Sequence, residues 1–180
     1  MRYLPVGPSS DRPGLEGHQL PSEAEYNEFY IAYGEAMAAW SSVEQNIFAV
    51  FHFHTAPREY AVGPGIYWTL QGFRARLDVT NAAVAASGRQ TEQLEEWKKI
   101  SIKIKSKSLS RNILAHYAPC YGRKREGMRR EMFLGNPQNP FSDSVLKKHD
   151  LEHWAASFDS LVNEVIMFFS RAVNERSGQS

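Results

Sequence analysis

An arginine, an asparagine and a histidine stand close together in the segment Arg111-Asn112-Ile113-Leu114-Ala115-His116-Tyr117. Arginine presents a permanently charged, planar fork to phosphate oxygens, and histidine exchanges protons near neutral pH. The thirteen residues before this segment, Lys98 to Ser110, contain five lysines and no acidic residue. Such a combination suits a phosphodiester, and hydrolysis of RNA is therefore the first hypothesis that these residues suggest.

Helical spacing would arrange these side chains usefully. Asn112 and His116 are four residues apart and share a helix face, and Ser108 extends that face by one turn. Arg111 directly precedes Asn112 and therefore lies beside this face of the helix, but its side chain is long and flexible. In this arrangement Arg111 meets a phosphate, His116 exchanges a proton, and Asn112 orients the imidazole or the sugar. The alternative is structural: Arg111 caps a helix or forms an ion pair, and His116 is a satisfied, partly buried ring.

The charges of the chain are unevenly distributed. From Lys98 to Arg130, eleven lysines and arginines face one acid, Glu126, whereas the remainder contains ten basic and nineteen acidic residues. A block of one sign commonly marks an anionic partner, although a solvated lysine face is the alternative. We predict that part of this block binds a nucleic-acid backbone with little sequence preference. The predicted contacts are Lys103, Lys105, Lys107, Arg123, Lys124, Arg125, Arg129 and Arg130.

Two tyrosines lie beside the motif or inside the basic block, namely Tyr117 and Tyr121. Stacking on an unpaired base is one role for them, and packing in a core is the other. Glu44 is a further candidate, because an acid on a helix can orient Arg111. An ordinary charge on a helix surface is the alternative for Glu44.

Long helices are predicted to position the motif. Ser22 and Glu25 form a capping-box pattern, which predicts a first helix that stops near Pro57. Apolar spacing predicts a second helix from about residue 64 to 87. A third helix begins at Thr91 and runs into the motif, and a last one spans about residues 150–175. Residues 100–105 alternate with period two, as a strand does, but strongly helical sequence on both sides favours helix.

These elements predict an all-α fold, a four-helix bundle with an irregular basic loop or a short hairpin at about residues 119–143, before the last helix. Residues 1–21 are rich in proline and glycine and are predicted to be a flexible arm. Residues 22–176 are predicted to form a single domain, followed by a disordered tail at 177–180.

Composition also bears on the compartment. Cys120 is the only cysteine, so no internal disulfide is possible and a reducing setting is expected. The longest aliphatic or aromatic runs, of which Val165 to Phe169 is one, are far too short to span a bilayer. We therefore expect a cytoplasmic protein with no membrane partner.

Arg-Asn-x-x-Ala-His-Tyr near the end of a late helix resembles the HEPN superfamily, the nucleotide-binding domains of higher eukaryotes and prokaryotes. Its nuclease members carry an Arg-x4–6-His motif with a polar residue after the arginine. Residues 40–44, Trp-Ser-Ser-Val-Glu, and residues 73–78, Phe-Arg-Ala-Arg-Leu-Asp, look like the matching segments of small bacterial proteins of that type. The resemblance covers residues 22–176, and residues 108–117 are its specific part.

The resemblance implies that Arg111 and His116 are the active pair and that Asn112 is the accompanying polar residue. Ser108, Tyr117 and Glu44 would support them. It also implies a homodimer, with two such segments facing each other across a cleft, and a metal-independent endoribonuclease that needs no cofactor. Many such enzymes act in toxin–antitoxin or phage-defence systems, where a cognate antitoxin is a partner.

Two other classes of function stay open. One is a non-catalytic helical module that binds RNA, a nucleotide or a partner protein through the basic surface. The other is a protein-interaction bundle in which the basic stretch meets an acidic partner. Residues 149–153 spell His-x-x-Glu-His, a metallopeptidase string. That string lacks room for the further carboxylate ligand downstream, so no metal ligands are predicted.

Overall fold

The computed structural model describes residues 20–56, 60–87, 91–122, 130–139 and 145–177. Five helices contain most of these residues, and a small sheet lies before the last helix. The helices are α1 (Glu23–Thr55), α2 (Val62–Tyr67), α3 (Phe73–Ala86), α4 (Thr91–His116) and α5 (Lys148–Ser177). The strands are β1 (Ala118–Gly122), β2 (Glu131–Gly135) and β3 (Leu146–Lys147). The predicted helical character is confirmed, but the described residues form five helices and a small sheet where four helices were predicted.

The first helix begins and ends where local sequence predicts. The backbone N–H of Glu25 donates to Ser22 Oγ at 3.2 Å, which satisfies one of the free donors of the first turn. At the other end, Ala56 has a φ of 38° and its N–H donates to the carbonyl of His52 at 3.0 Å. This left-handed residue closes the helix directly before Pro57, which cannot continue it.

Residues 100–105 are helical, as predicted against their period-two alternation. Ile100 and Ile104 are buried, one turn apart on the inner face of α4. Ile102 between them is 62% exposed. A strand would have placed all three isoleucines on one face, so burial follows the period of the helix.

The predicted second helix from 64 to 87 is wrong in one respect, because two helices occupy this range. The break lies between Tyr67 and Phe73, where the Thr69 hydroxyl donates to the carbonyl of Ile66. Gly72 then adopts a φ of 82° and a ψ of 149° as the N-cap of α3. That conformation is almost exclusive to glycine and cannot occur inside a helix.

The chain divides into two compact units, each of which combines distant ranges. Unit 1 comprises residues 1–37 and 112–155, and it holds the sheet. Strands β1, β2 and β3 pair antiparallel in that order, with Cys120 opposite Phe133 and Leu134 opposite Leu146. Strands β1 and β2 form the antiparallel pair that the short-hairpin alternative predicted, and β3, which lies beyond residue 143, adds a third strand that was not predicted. Phe29 and Leu114 are buried in this unit.

Unit 2 comprises residues 38–111 and 156–180. The Trp40 ring meets Phe73 and Phe158 edge-on, with centroids 5.0 and 5.2 Å away. The buried indole of Trp97 donates to Asn81 Oδ1 at 2.8 Å, so its polar atom is satisfied. These contacts join side chains of α1, α3, α4 and α5 within the unit.

The last helix begins two residues earlier than predicted. It starts at Lys148, so His149 and Asp150 both lie in its first turn. The Asp150 carboxylate accepts the N–H of Lys147 at 2.9 Å. This is the backward bond of a capping box, which satisfies the donor from inside the helix.

Several predicted features lie outside the described residues. These are most of the arm at 1–21, the last three residues of the tail at 177–180, and the basic residues Arg123, Lys124, Arg125 and Arg129. Within the described ranges, no helix has both the length and the apolar character needed to cross a membrane.

Candidate active site

The Arg/His segment occupies the last turns of α4. The boundary between the two units falls directly after Arg111, which ends a range of unit 2, whereas Asn112, His116 and Tyr117 belong to unit 1. Asn112 and His116 are exposed, and Tyr117 is half-buried. Ser108, half-buried in unit 2, donates its hydroxyl to the carbonyl of Lys105 at 2.7 Å.

In unit 2, Arg111 approaches the acid that sequence analysis named as its partner. Its Nε lies 3.8 Å from Glu44 Oε1, and the side chain is about one-third exposed. The same carboxylate accepts a hydrogen bond from Arg76 Nη1 at 3.1 Å and another from Trp40 Nε1 at 2.7 Å. We call these four residues, Trp40, Glu44, Arg76 and Arg111, the Glu44 cluster.

Local helical spacing explains the contact between Trp40 and Glu44. Trp40 and Glu44 are four residues apart on α1, so the indole can donate along one face of its own helix. Val43 and Ile47, which flank Glu44 on the buried side, hold α1 in place. The Glu44 side chain consequently lies close to the interior and is only 17% exposed.

The two arginines of the Glu44 cluster carry more positive charge than the Glu44 carboxylate can neutralise. Two arginines and one carboxylate leave a net charge of +1 in a poorly hydrated place, where ion pairs are screened less than at the surface. The Nε atoms of Arg76 and Arg111 are buried and have no hydrogen-bond partner among the described residues. Phosphate oxygens match the guanidinium fork, and the partly exposed side chain of Arg111 leaves other donors of that group accessible.

In unit 1, His116 is the last residue of α4. The turn of α4 that precedes His116 is held by Tyr33 of α1, whose hydroxyl donates to the carbonyl of the buried Leu114 at 3.0 Å. Over the described part of the chain, the His116 imidazole makes no hydrogen bond or ion pair. The ring is therefore available for proton transfer and is not the satisfied, buried histidine of the structural alternative.

The lysines predicted to contact nucleic acid differ in their surroundings. Lys103 Nζ is 2.9 and 2.7 Å from the two carboxylate oxygens of Glu164, so its charge is already paired. Lys105 is exposed and Lys107 half-buried, and neither makes an ion pair with another described residue. Arg130, directly before β2, is half-buried and interacts with another group.

Two members of the neighbourhood were missed from sequence. Arg76 follows Ala75 in a helix whose Leu77 and Thr80 are buried, which placed it beside the core stripe. That position is a weak indication of a half-buried charge. Trp40 gave no such indication, because the hydrogen bond of its indole depends on Glu44 one turn later.

Searches against protein-family models, curated proteins and solved structures found no match to this chain.

Proposed function

We propose that this protein is a metal-independent endoribonuclease of HEPN type, with Arg111 and His116 as its catalytic pair. The observation that carries the proposal is an exposed imidazole, with no partner among the described residues, five residues after a partly exposed arginine. A phosphate at the arginine and a proton exchanger near it are the two groups that transesterification of RNA requires.

In the proposed reaction, the ribose 2′-hydroxyl attacks the adjacent phosphorus and the 5′-oxygen of the next nucleotide leaves. His116 transfers a proton at one of these two oxygens, and Arg111 stabilises the charge that develops on the pentavalent phosphate. Asn112 orients the imidazole or the sugar. Glu44 positions the guanidinium of Arg111 without touching the substrate.

The proposal includes a homodimer. Residues five apart on an α-helix diverge by about 140° around its axis, so Arg111 and His116 leave α4 in different directions. Convergence on one phosphate is achieved if the segments of two copies face each other, as in the HEPN arrangement with its four-helix bundle. A cytoplasmic toxin or phage-defence effector, held in check by a cognate antitoxin, is the corresponding biological role.

RNA cleavage in the presence of EDTA tests the proposal. His116→Ala should lower the cleavage rate by about 10²- to 10⁴-fold, because it removes the proton-transfer group. Arg111→Lys should also lower it, since an ammonium lacks the planar fork. His153→Ala is the matched control, since this exposed histidine lies on α5 outside the motif. Full activity in a folded His116→Ala variant would refute the proposed chemistry.

A second function is favoured by the ion pair between Arg111 and Glu44, which gives the arginine a structural role. In that case the protein is a non-catalytic module that binds RNA, a nucleotide or a partner protein. It would bind RNA in a salt-sensitive manner without turnover, and His116→Ala would leave the affinity unchanged.

A further inference from the structure

A groove of about 700 Å³ lies in unit 2, beside the Glu44 cluster. Its walls are mainly aromatic and come from α1, α5 and the segment around α2. The side chains used below are Glu44, Phe48, His52, Tyr60 and Trp68. We call this the aromatic groove.

Rings follow one another along the aromatic groove in a continuous strip. The Tyr60 centroid is 4.7 Å from that of His52, and His52 is 5.7 Å from Phe48. Phe48 is in turn 5.6 Å from Trp68. These spacings are those of rings in direct contact, so the strip is a single apolar, π-rich surface.

The strip ends at positive charge. The Arg76 guanidinium lies over the Trp68 ring, 5.1 Å from its centroid, and donates to Glu44, which itself lines the aromatic groove. Arg111 approaches the other oxygen of the same carboxylate. Stacking surface and phosphate-binding donors are thus adjacent in one unit.

Exposure distinguishes this strip from ordinary core. Trp40 and Trp97 in the same unit are buried, whereas Trp68 is 47% exposed and Tyr60 is 72% exposed. Aromatic side chains have large apolar surfaces, and an exposed ring does not gain the favourable free energy of burying that surface. A planar ligand would cover these faces.

We infer that the aromatic groove binds an unstacked nucleobase of single-stranded RNA, with the neighbouring phosphate at Arg76 and Arg111. Every base has a π-face, so such a strip accepts bases with little sequence preference, and the cationic end tracks the backbone. This inference rests on the proposed function, because it supplies the substrate subsite of that enzyme. It adds Trp68 and Tyr60 as binding residues.

Fluorescence anisotropy with a short, labelled, 2′-O-methyl single-stranded RNA measures the binding without turnover, because this RNA lacks the attacking hydroxyl. Trp68→Ala and Tyr60→Ala should each weaken binding by about 5- to 150-fold, the usual effect of removing one stacking ring. Trp68→Phe, which keeps a ring, should restore most of the affinity. Ile66→Ala is the matched control, since this exposed residue of α2 does not line the groove.

Competition with adenosine and uridine monophosphates identifies the source of the base. If the monophosphates displace the labelled RNA efficiently, the groove binds free nucleotides. If the RNA binds and is not displaced, the groove binds the polymer. Unchanged affinity for both probes in folded Trp68→Ala and Tyr60→Ala variants would overturn the inference. Loss of a protein partner with retained RNA affinity would do so as well, because it would make the groove a protein-docking surface.

The two proposals fail separately. Cleavage that depends on His116 but not on Trp68, with unchanged RNA affinity in Trp68→Ala, would refute the nucleobase groove alone. Binding that depends on Trp68, without cleavage by the wild-type protein, would refute the ribonuclease alone.

Discussion

Glu44 joins side chains from three helices of unit 2. Its carboxylate receives Trp40 from its own helix, Arg76 from α3 and Arg111 from α4. The sequence suggested that an acid on the first helix could orient Arg111, and the structure places the two side chains 3.8 Å apart. The catalytic assignments of Arg111, Asn112 and His116 stay predictions.

At the residue scale, we predict that Glu44→Gln lowers the free energy of unfolding by about 2 kcal/mol, because two half-buried guanidinium groups lose their counter-charge. Chemical denaturation measures the change. Glu164→Gln is the control, since it breaks the more exposed pair with Lys103 and should cost less than about 1 kcal/mol. Equal losses in the two variants would mean that the Glu44 cluster is screened like a surface pair.

At the scale of elements, α4 shows how far local sequence reaches. The helical state of residues 100–105 is confirmed, because the burial of Ile100 and Ile104 follows the helical period. The division of the predicted second helix was missed, although Gly72 was visible in the sequence. Glycine is tolerated inside helices, so its presence does not by itself reveal a positive φ.

Two glycines should respond oppositely to alanine. Gly72→Ala should destabilise the protein by about 1–3 kcal/mol, because its backbone conformation at the start of α3 is almost exclusive to glycine. Gly34→Ala in α1 should stabilise it by about 0.5–1 kcal/mol, since alanine loses less entropy in a helix. An added Cβ meets no atom within 4 Å at either site, so the backbone decides both outcomes. Thermal denaturation that shifts both variants in the same direction would contradict this account.

At the scale of the whole molecule, the uneven charge distribution is the main guide to a partner. Eleven of the twenty-one lysines and arginines lie between Lys98 and Arg130, and the described lysines of that stretch are not equivalent. Lys103 is neutralised by Glu164, whereas Lys105 and Lys107 have no acidic partner among the described residues. Free lysines release counterions when they meet phosphate, so these two should contribute most to salt dependence.

We predict that Lys105→Ala and Lys107→Ala each reduce the slope of log affinity against log salt concentration by about 0.7 for single-stranded RNA. Titrations at several salt concentrations measure the slope. Lys148→Ala is the control, because this lysine lies 2.8 Å from Glu28 and outside the basic block. The hydrogen bond and charge of Glu28 raise the pKa of Lys148, so its charge is already committed. An unchanged slope in the Lys105→Ala and Lys107→Ala variants would mean that these two lysines do not contact the RNA backbone.

Sequence alone determined the long helices, the position of the motif at the end of α4 and the block of positive charge. These features arise from residues a few positions apart, through capping, periodicity and local composition. Tertiary structure alone decided that Arg76 shares the carboxylate of Glu44, that a three-stranded sheet precedes α5, and that Tyr60 and Trp68 continue one strip of rings. Each of these depends on contacts between distant parts of the chain, which packing selects and local pattern does not encode.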